Sequence, residues 1–257
     1  GEDITSVATI DAKANAKADF TARKSGVIAG IEVAEAVLRE VGLTEIKRVK
    51  NDGDKVSAGD ILLSVYGNTR AILLAERTAL NFFRQLSGVA TLTSAWVKKV
   101  SGTKCQVRDT RKTTPGMRVL EKYAVRMGGG TNHRINLSDA ALIKDNHIAP
   151  AGGVVEAFAR VRALYPDSEI EIEVDTLDQL REVLSHKPDL VLLDNMSPAQ
   201  CAEAVAIVNG VCKLEASGGI SLENARVYAE SGVDYIAIGA LTHSAPVFDI
   251  GLDLRAE

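Results

Sequence analysis

Between Arg108 and His147 the chain gathers residues suited to holding a small, multiply charged anion. The densest stretch is Arg108-Asp109-Thr110-Arg111-Lys112-Thr113-Thr114-Pro115-Gly116. Asn132-His133-Arg134 follows a triple glycine, Gly128-Gly129-Gly130, and Lys144-Asp145-Asn146-His147 follows a short aliphatic run. From Arg108 to Arg134 there are seven Lys or Arg against two acids, a formal +5, while the whole chain carries −4. Arg offers a planar fork matched to carboxylates and phosphates; Lys offers a point charge. A Lys that ends an apolar strand is costly to desolvate unless an anion meets it. Arg111, Lys112, Arg134 and Lys144 at one mouth therefore read as an anion site. Two other uses of Lys144 stay open: an internal salt bridge, or a Schiff base of the kind barrel aldolases place on strand ends.

Other polar residues fall at the ends of aliphatic runs. Glu173 and Asp194 close two of them and suit Mg²⁺, which takes few protein oxygens; ion pairing with the cationic cluster is the alternative. Ser217-Gly218-Gly219 and Gly239-Ala240-Leu241-Thr242-His243 close two more. Small residues there let backbone N–H groups approach a phosphate, with helix N-termini behind them. His243 reads equally as a ligand or as an ordinary capping histidine. There is no GxxxxGK[ST] loop and no GxGxxG.

These positions need elements to carry them. From Lys104 onward, short aliphatic runs alternate with helical stretches. Strands are expected at Cys105–Asp109, Ala141–Lys144, Ile170–Val174, Leu190–Asp194, Lys213–Ala216 and Tyr235–Ile238. Helices are expected near Pro115–Met127, Val154–Leu164, Leu177–Leu184, Pro198–Val208 and Leu222–Ser231. Near-continuous apolar strands imply burial on both faces, hence a parallel sheet. Polar residues at the strand ends favour a barrel, whose active sites lie at that rim. Six strands fall short of eight, so the fold class is α/β with an incomplete parallel barrel. The helix over Pro115–Met127 should start at an N-capping Thr114 and bury Met117, Leu120, Ala124 and Met127. Its Arg118, Lys122 and Arg126 should be solvated.

Residues 1–103 read as a separate α/β unit. A hairpin is expected within Ala18–Ile31, turning at Lys24-Ser25-Gly26, and two strands flank Asn51-Asp52-Gly53-Asp54. Ala71–Val100 spaces Leu73, Leu74, Leu80, Phe83 and Leu86 for one buried helix face, with Gly88 as a kink or break. Residues 104–243 form the barrel domain, and 244–257 a terminal segment returning to the first unit.

Bulk properties narrow the function. With 257 residues, 46% hydrophobic and only 4% aromatic, the chain can bury a large aliphatic core. Its acidic balance argues against nucleic acid as a partner. No apolar run approaches the ~18–20 residues of a membrane span. Cys105, Cys201 and Cys212 form no pair or cluster and read as buried, reduced thiols of a cytoplasmic protein. The chain opens at Gly1 without a Met, so an upstream segment is expected.

Taken together, the motifs resemble those of the quinolinate phosphoribosyltransferase family, the decarboxylating nicotinate-nucleotide pyrophosphorylases. The likeness runs from Gly1-Glu2-Asp3-Ile4-Thr5-Ser6 almost to the end. It is carried by Glu76-Arg77-Thr78-Ala79-Leu80-Asn81, Leu86-Ser87-Gly88-Val89-Ala90-Thr91, Asp109-Thr110-Arg111-Lys112-Thr113, Gly128-Gly129-Gly130-Thr131-Asn132-His133-Arg134, Ile143-Lys144-Asp145-Asn146-His147 and Glu215-Ala216-Ser217-Gly218-Gly219-Ile220. The resemblance implies condensation of quinolinate with phosphoribosyl pyrophosphate to nicotinate mononucleotide, pyrophosphate and CO₂, with Mg²⁺. It implies an N-terminal α/β sandwich beside the incomplete barrel, and a homodimer or larger assembly with shared sites. By position, Arg111, Lys112, His133, Arg134 and Lys144 would hold the quinolinate carboxylates, and Arg77 would reach in from a partner. Glu173 and Asp194 would hold ribose hydroxyls and metal. Thr110, Ser217, Gly218, Gly219, Gly239, Ala240 and His243 would line the phosphoribosyl site. The rivals are a same-scaffold transferase for another pyridine-type anion, a Schiff-base aldolase using Lys144, and a carrier resembling biotinyl domains at Val49–Tyr66.

Overall fold

The first sheet is built on β-strand side chains buried along one face. In the strand Asn15–Ala22, the side chains of Ala16, Ala18, Phe20 and Ala22 are fully buried. The computed structural model describes residues 3–256, so Gly1 and Glu2 of the opening motif lie outside the described residues. The chain runs α1 (Ile4–Thr9), β1 (Asn15–Ala22), β2 (Gly26–Val27), α2 (Ile31–Glu40), β3 (Glu45–Arg48), β4 (Lys55–Val56), β5 (Ile61–Asn68) and α3 (Thr69–Val100). It continues with β6 (Gln106–Arg108), α4 (Arg118–Met127), β7 (Ala141–Ile143), α5 (Asp145–Ala151), α6 (Val154–Leu164), β8 (Ile170–Val174), α7 (Leu177–Leu184), β9 (Leu190–Asp194) and α8 (Pro198–Val208). It closes with β10 (Lys213–Ser217), α9 (Ala225–Glu230), β11 (Tyr235–Ala237), α10 (Ala240–His243) and β12 (Ile250–Ala256).

Two compact units result. The first takes residues 1–94, 119–129 and 244–257; the second takes 95–118 and 130–243. In the first, an antiparallel sheet has the order β12-β1-β5-β3, so the last strand of the chain pairs with the first long one. Its core includes Phe20, Leu62, Leu63, Ile72, Phe83 and Phe248.

Several expectations for this unit are corrected. β1 and β2 do not form a hairpin: β1 pairs with β12 and β5, and β2 pairs with β4. Helix α2 begins at Ile31, behind a left-handed Gly30 that supplies no side-chain cap. Gly88 does not break α3, which runs unbroken for 32 residues. A Cβ at Gly88 would lie 2.3 Å from the Pro246 carbonyl oxygen, so glycine is there for close approach. Helix α4 starts at Arg118, after a turn over 115–117, and not at Pro115. It buries Glu121, Lys122, Ala124 and Val125; of the apolar positions expected inside, only Ala124 is buried. Lys122 is 1% exposed and so is not solvated. Arg118 is also held in place, donating to Thr113 Oγ1, Ile135 O and Arg111 O.

The second unit carries the expected six parallel strands, in the order β7-β8-β9-β10-β11-β6. Neighbours are consecutive in the chain, and β6 returns to pair with β11. This is a barrel order without closure, since β6 and β7 are its two edges. Thr131 adds a single bridge beside β6. All five residues of β8 are buried, as a sheet covered on both faces requires. Helices α7 and α8 begin with capping boxes, Thr176 with Gln179 and Ser197 with Gln200.

Candidate active site

Strand register decides which side chains converge. Glu173 pairs with Leu192 and Leu192 with Glu215; Asp194 pairs with Ser217, Ser217 with Ala237, and Ala237 with Arg108. Successive residues alternate faces. Glu171, Glu173, Asp194, Glu215, Ser217 and Arg108 therefore share one face of the sheet. Arg108 Nη1 donates to Glu215 Oε2 at 2.9 Å, which confirms the shared side.

The cationic residues line the rim of this unit. Arg111 follows β6, and its Nε is buried with no hydrogen-bond partner. Arg134 Nη1 donates to Ala140 O at 2.9 Å, and its Nε is likewise buried without a partner. Burial, and then the charge of Arg111, lower the pKa of Arg134. Two guanidinium groups thus stand near each other, each with an unused buried donor. Thr110 Oγ1 accepts from the Lys112 N–H at 3.0 Å, and the Lys112 carbonyl accepts from Thr242 Oγ1 at 2.7 Å. Lys112 is exposed. Lys144, just past β7, pairs through Nζ with Glu173 Oε2. The internal salt bridge weighed for Lys144 is therefore present.

The phosphate-type positions cluster at the ends of β10 and β11. Gly218 and Gly219 adopt φ +87° and +63°, a left-handed run that suits glycine. A Cβ at Gly218 would lie 2.1 Å from Asn195 Oδ1, and one at Gly239 would lie 3.1 Å from His243 Nε2. Ala240 is half-buried and opens α10; His243 is exposed at its end. The helices behind these glycines are short, six residues in α9 and four in α10. Short helices leave the backbone N–H groups at the glycines as the candidate donors to a phosphate.

Asp194 ends β9. Burial raises its pKa, and Asn195 Nδ2 donates to it at 2.6 Å. Glu173 and Asp194 offer hard oxygen donors on one face. A desolvated Asp194 and a Glu173 already drawn to a cation suit a divalent ion that keeps waters.

Three residues of this centre escaped the sequence reading of the site. Glu171 and Glu215 lie inside buried strands, and Arg108 was counted only as part of the cationic stretch. Burial pushes both carboxyls up to about 7. The available signal was period-two spacing: Glu171 leads to Glu173, and Glu215 to Ser217. Donor atoms of His133, Glu171 and Glu215 lie within 4.8 Å of one another. Arg108 already supplies a cation to that group. Arg77 lies on α3 in the other unit, exposed, with Glu76 at 3.7 Å. A separate cleft of about 620 Å³ lies among Lys104, Asp189, Lys213 and Asp234, at the opposite strand ends, and contains none of the rim residues. Cys105 and Cys201 are buried as expected; Cys212 is partly exposed, and all three are free. Among the described residues, no helix is long and apolar enough to cross a membrane.

An incomplete parallel barrel with unpaired guanidinium donors and glycine-lined strand ends defines the class: an α/β-barrel enzyme working on anionic substrates. Family models for the N- and C-terminal domains of quinolinate phosphoribosyl transferase match residues 3–87 and 89–253. A carboxylating nicotinate-nucleotide pyrophosphorylase of Mycobacterium leprae is 51% identical, over 99% of this chain and 92% of that protein. The solved nicotinate-nucleotide pyrophosphorylase of Ehrlichia chaffeensis superposes with a TM-score of 0.94 at 41% identity, covering 98% of this chain and 92% of that one. That of Francisella tularensis gives 0.95 at 40%, covering 98% and 90%. The chain belongs to the quinolinate phosphoribosyltransferase family.

Proposed function

We propose that this enzyme transfers the phosphoribosyl group of phosphoribosyl pyrophosphate to quinolinate, with decarboxylation, in NAD biosynthesis. The observation that carries the reading is the pair of buried, partnerless Nε–H groups on Arg111 and Arg134. Two such guanidiniums call for a ligand with two carboxylates, and quinolinate has two. Lys112 and Lys144 add charge at the same rim. His133 belongs to the same turn as Arg134, but its ring nitrogens are taken within the protein.

In the reaction, the pyridine nitrogen bonds to the ribose carbon while the bond to pyrophosphate breaks. Pyrophosphate leaves with the electron pair, through an oxocarbenium-like state. The resulting pyridinium draws electrons from the 2-carboxylate bond, CO₂ departs, and a proton replaces it at that carbon. The chain's own part is to orient two anions in line and to hold their charge. Thr110, Ser217, Gly218, Gly219, Gly239, Ala240 and His243 would line the phosphoribosyl site. Glu173 and Asp194 would hold ribose hydroxyls and Mg²⁺, which when bound offsets the charge of the leaving pyrophosphate. The Schiff-base reading of Lys144 gains no support, since its Nζ is paired with Glu173.

We also place the enzyme in the cytoplasm, in keeping with its three free thiols, as a homodimer or larger assembly. Arg77, exposed and loosely paired, would complete a partner's site. Incubation with quinolinate, phosphoribosyl pyrophosphate and Mg²⁺ should yield CO₂ and nicotinate mononucleotide. Nicotinate in place of quinolinate should not react. Absence of CO₂ release from active, folded protein would refute the assignment. Mixing Arg77→Ala with Lys144→Ala subunits should restore activity; no recovery in verified mixed dimers would count against shared sites.

A further inference from the structure

Beneath the anion pocket lies a set of buried charges that the reaction itself does not use. Arg108 comes from β6, Glu171 from β8 and Glu215 from β10, and all three converge on the turn Asn132-His133-Arg134. Glu215 is wholly buried and Glu171 is 4% exposed. Replacing buried ion pairs by apolar residues often stabilises a protein, so stability alone is a weak reason to keep them.

Their geometry has a direction. The Arg134 N–H donates to His133 Nδ1 at 2.8 Å. An accepting Nδ1 carries no proton, so the ring proton of a neutral His133 must sit on Nε2. Nε2 lies 2.8 Å from Glu171 Oε2 and 3.7 Å from Glu215 Oε1. Glu215 is held in turn by Arg108, whose Nη2 also reaches Asn132 O at 3.4 Å. On the other side, Asp109 accepts from the His133 N–H at 2.9 Å and from Asn132 Nδ2 at 2.5 Å. The turn is therefore gripped from β6, β8 and β10 at once.

We infer that Glu171 is a positioning residue for the anion site: it fixes the ring of His133, whose Nδ1 fixes the backbone of Arg134, with Arg108 and Glu215 as its buttress. His133 thus acts on the site through the backbone of Arg134. This rests on the reading that Arg134 binds a carboxylate of quinolinate. Precision matters there because misplacing a binding group by about 1 Å costs on the order of 10²-fold in rate.

The test begins with the wild-type enzyme. Long-range proton–nitrogen NMR, with His133 identified by loss of its signals in His133→Asn, should show an Nε2–H tautomer with unprotonated Nδ1. An Nδ1–H tautomer overturns the proposal without reference to any substrate. Glu171→Leu should mix the tautomers and raise KM for quinolinate about tenfold or more, with KM for phosphoribosyl pyrophosphate within about twofold. Glu171→Gln, whose amide oxygen accepts the same hydrogen bond, should restore both. Unchanged quinolinate KM in Glu171→Leu, or equal damage in the Gln variant, overturns the positioning role. Should Glu171→Leu fail to fold, the wild-type tautomer and the Gln variant still decide. Failure of the substrate reading looks different: the wild type would then not turn over quinolinate at all, whatever the tautomer.

Discussion

Burial, and after it the neighbouring charge of Arg111, lowers the pKa of Arg134, and both residues keep a buried Nε–H without a hydrogen-bond partner. Like charges held this way are a cost until a dianion arrives. Arg134→Ala should therefore leave the fold intact and weaken quinolinate binding by roughly 10²-fold or more. Arg134→Lys should recover only part of that, since an ammonium lacks the planar fork. Titration calorimetry with quinolinate reads both. Wild-type affinity in Arg134→Ala would remove Arg134 from the site.

Asn195 sits in the left-handed region at φ 52°, donating to Asp194 and packing against Gly218. In Gly218→Ala, the new Cβ would strike Asn195 Oδ1, and the residue would also be strained at φ +87°. Asp194 should lose its donor. We expect kcat/KM for phosphoribosyl pyrophosphate to fall at least about tenfold, equivalent to one lost hydrogen bond. Quinolinate binding should hold. Equal losses for both substrates would point to general unfolding of the rim.

Glu215 gives the stability of the protein a pH dependence. Burial raises its carboxyl from the ordinary 4.5 to about 7, and Glu171 shifts the same way for the same first cause. Between about 4.5 and about 7 the folded chain keeps a proton that the unfolded chain has released. Unfolding free energy should therefore fall as pH rises through this window, by up to about 1.4 kcal/mol per pH unit for each group, and level off above it. Asp253, lowered by its hydrogen bond to Arg23, acts at lower pH, outside the window. Urea midpoints at pH 5, 6, 7 and 8 measure the slope, and Glu215→Gln should flatten it. A slope unchanged by that substitution would show that other groups set it.

Gly88 inverts a familiar rule. Gly→Ala within an exposed helix gains up to about 1 kcal/mol. Here the methyl would meet the Pro246 carbonyl at 2.3 Å and the Val247 Cα at 3.2 Å. Gly88→Ala should destabilise by about 1–3 kcal/mol, as overpacking does, and lower the thermal midpoint. A raised midpoint would show that the 244–248 segment yields easily.

The barrel half was legible almost to the residue where local signals agree. Leu190–Asp194 is a continuous apolar run closed by an acid, and Ile170–Val174 alternates Ile with Glu at the strand period. Thr176 and Ser197 announce their helices with Gln three residues on. The first unit was harder because its pairings are distant: β2 joins β4, and β1 joins β12. Helix α2 was overlooked because Gly30 begins it without a side-chain cap. In α4, apolarity misled, since Glu121 and Lys122 are buried beside Ala124 and Val125 while Met117, Leu120 and Met127 are not. Rim residues could be named from charge and spacing. Glu171 and Glu215 carried only the period-two spacing as a signal, because an acid inside a strand reads as exposed until register shows what it faces.

The pairing of β1 with β12 sets the order in which a newly made chain can finish folding. Ala16 lies beside Ala256, and Arg108 waits for a partner 107 residues away. The first sheet cannot be completed until Ile250–Ala256 has emerged, whereas the charged floor of the barrel needs no charged residue beyond Glu215. During synthesis β1 stays an open sheet edge, the kind that recruits foreign strands. A stop codon just before Ile250 would leave that edge open permanently. Such a truncated chain would be a substrate for chaperones and proteases, even though it carries every residue of the rim.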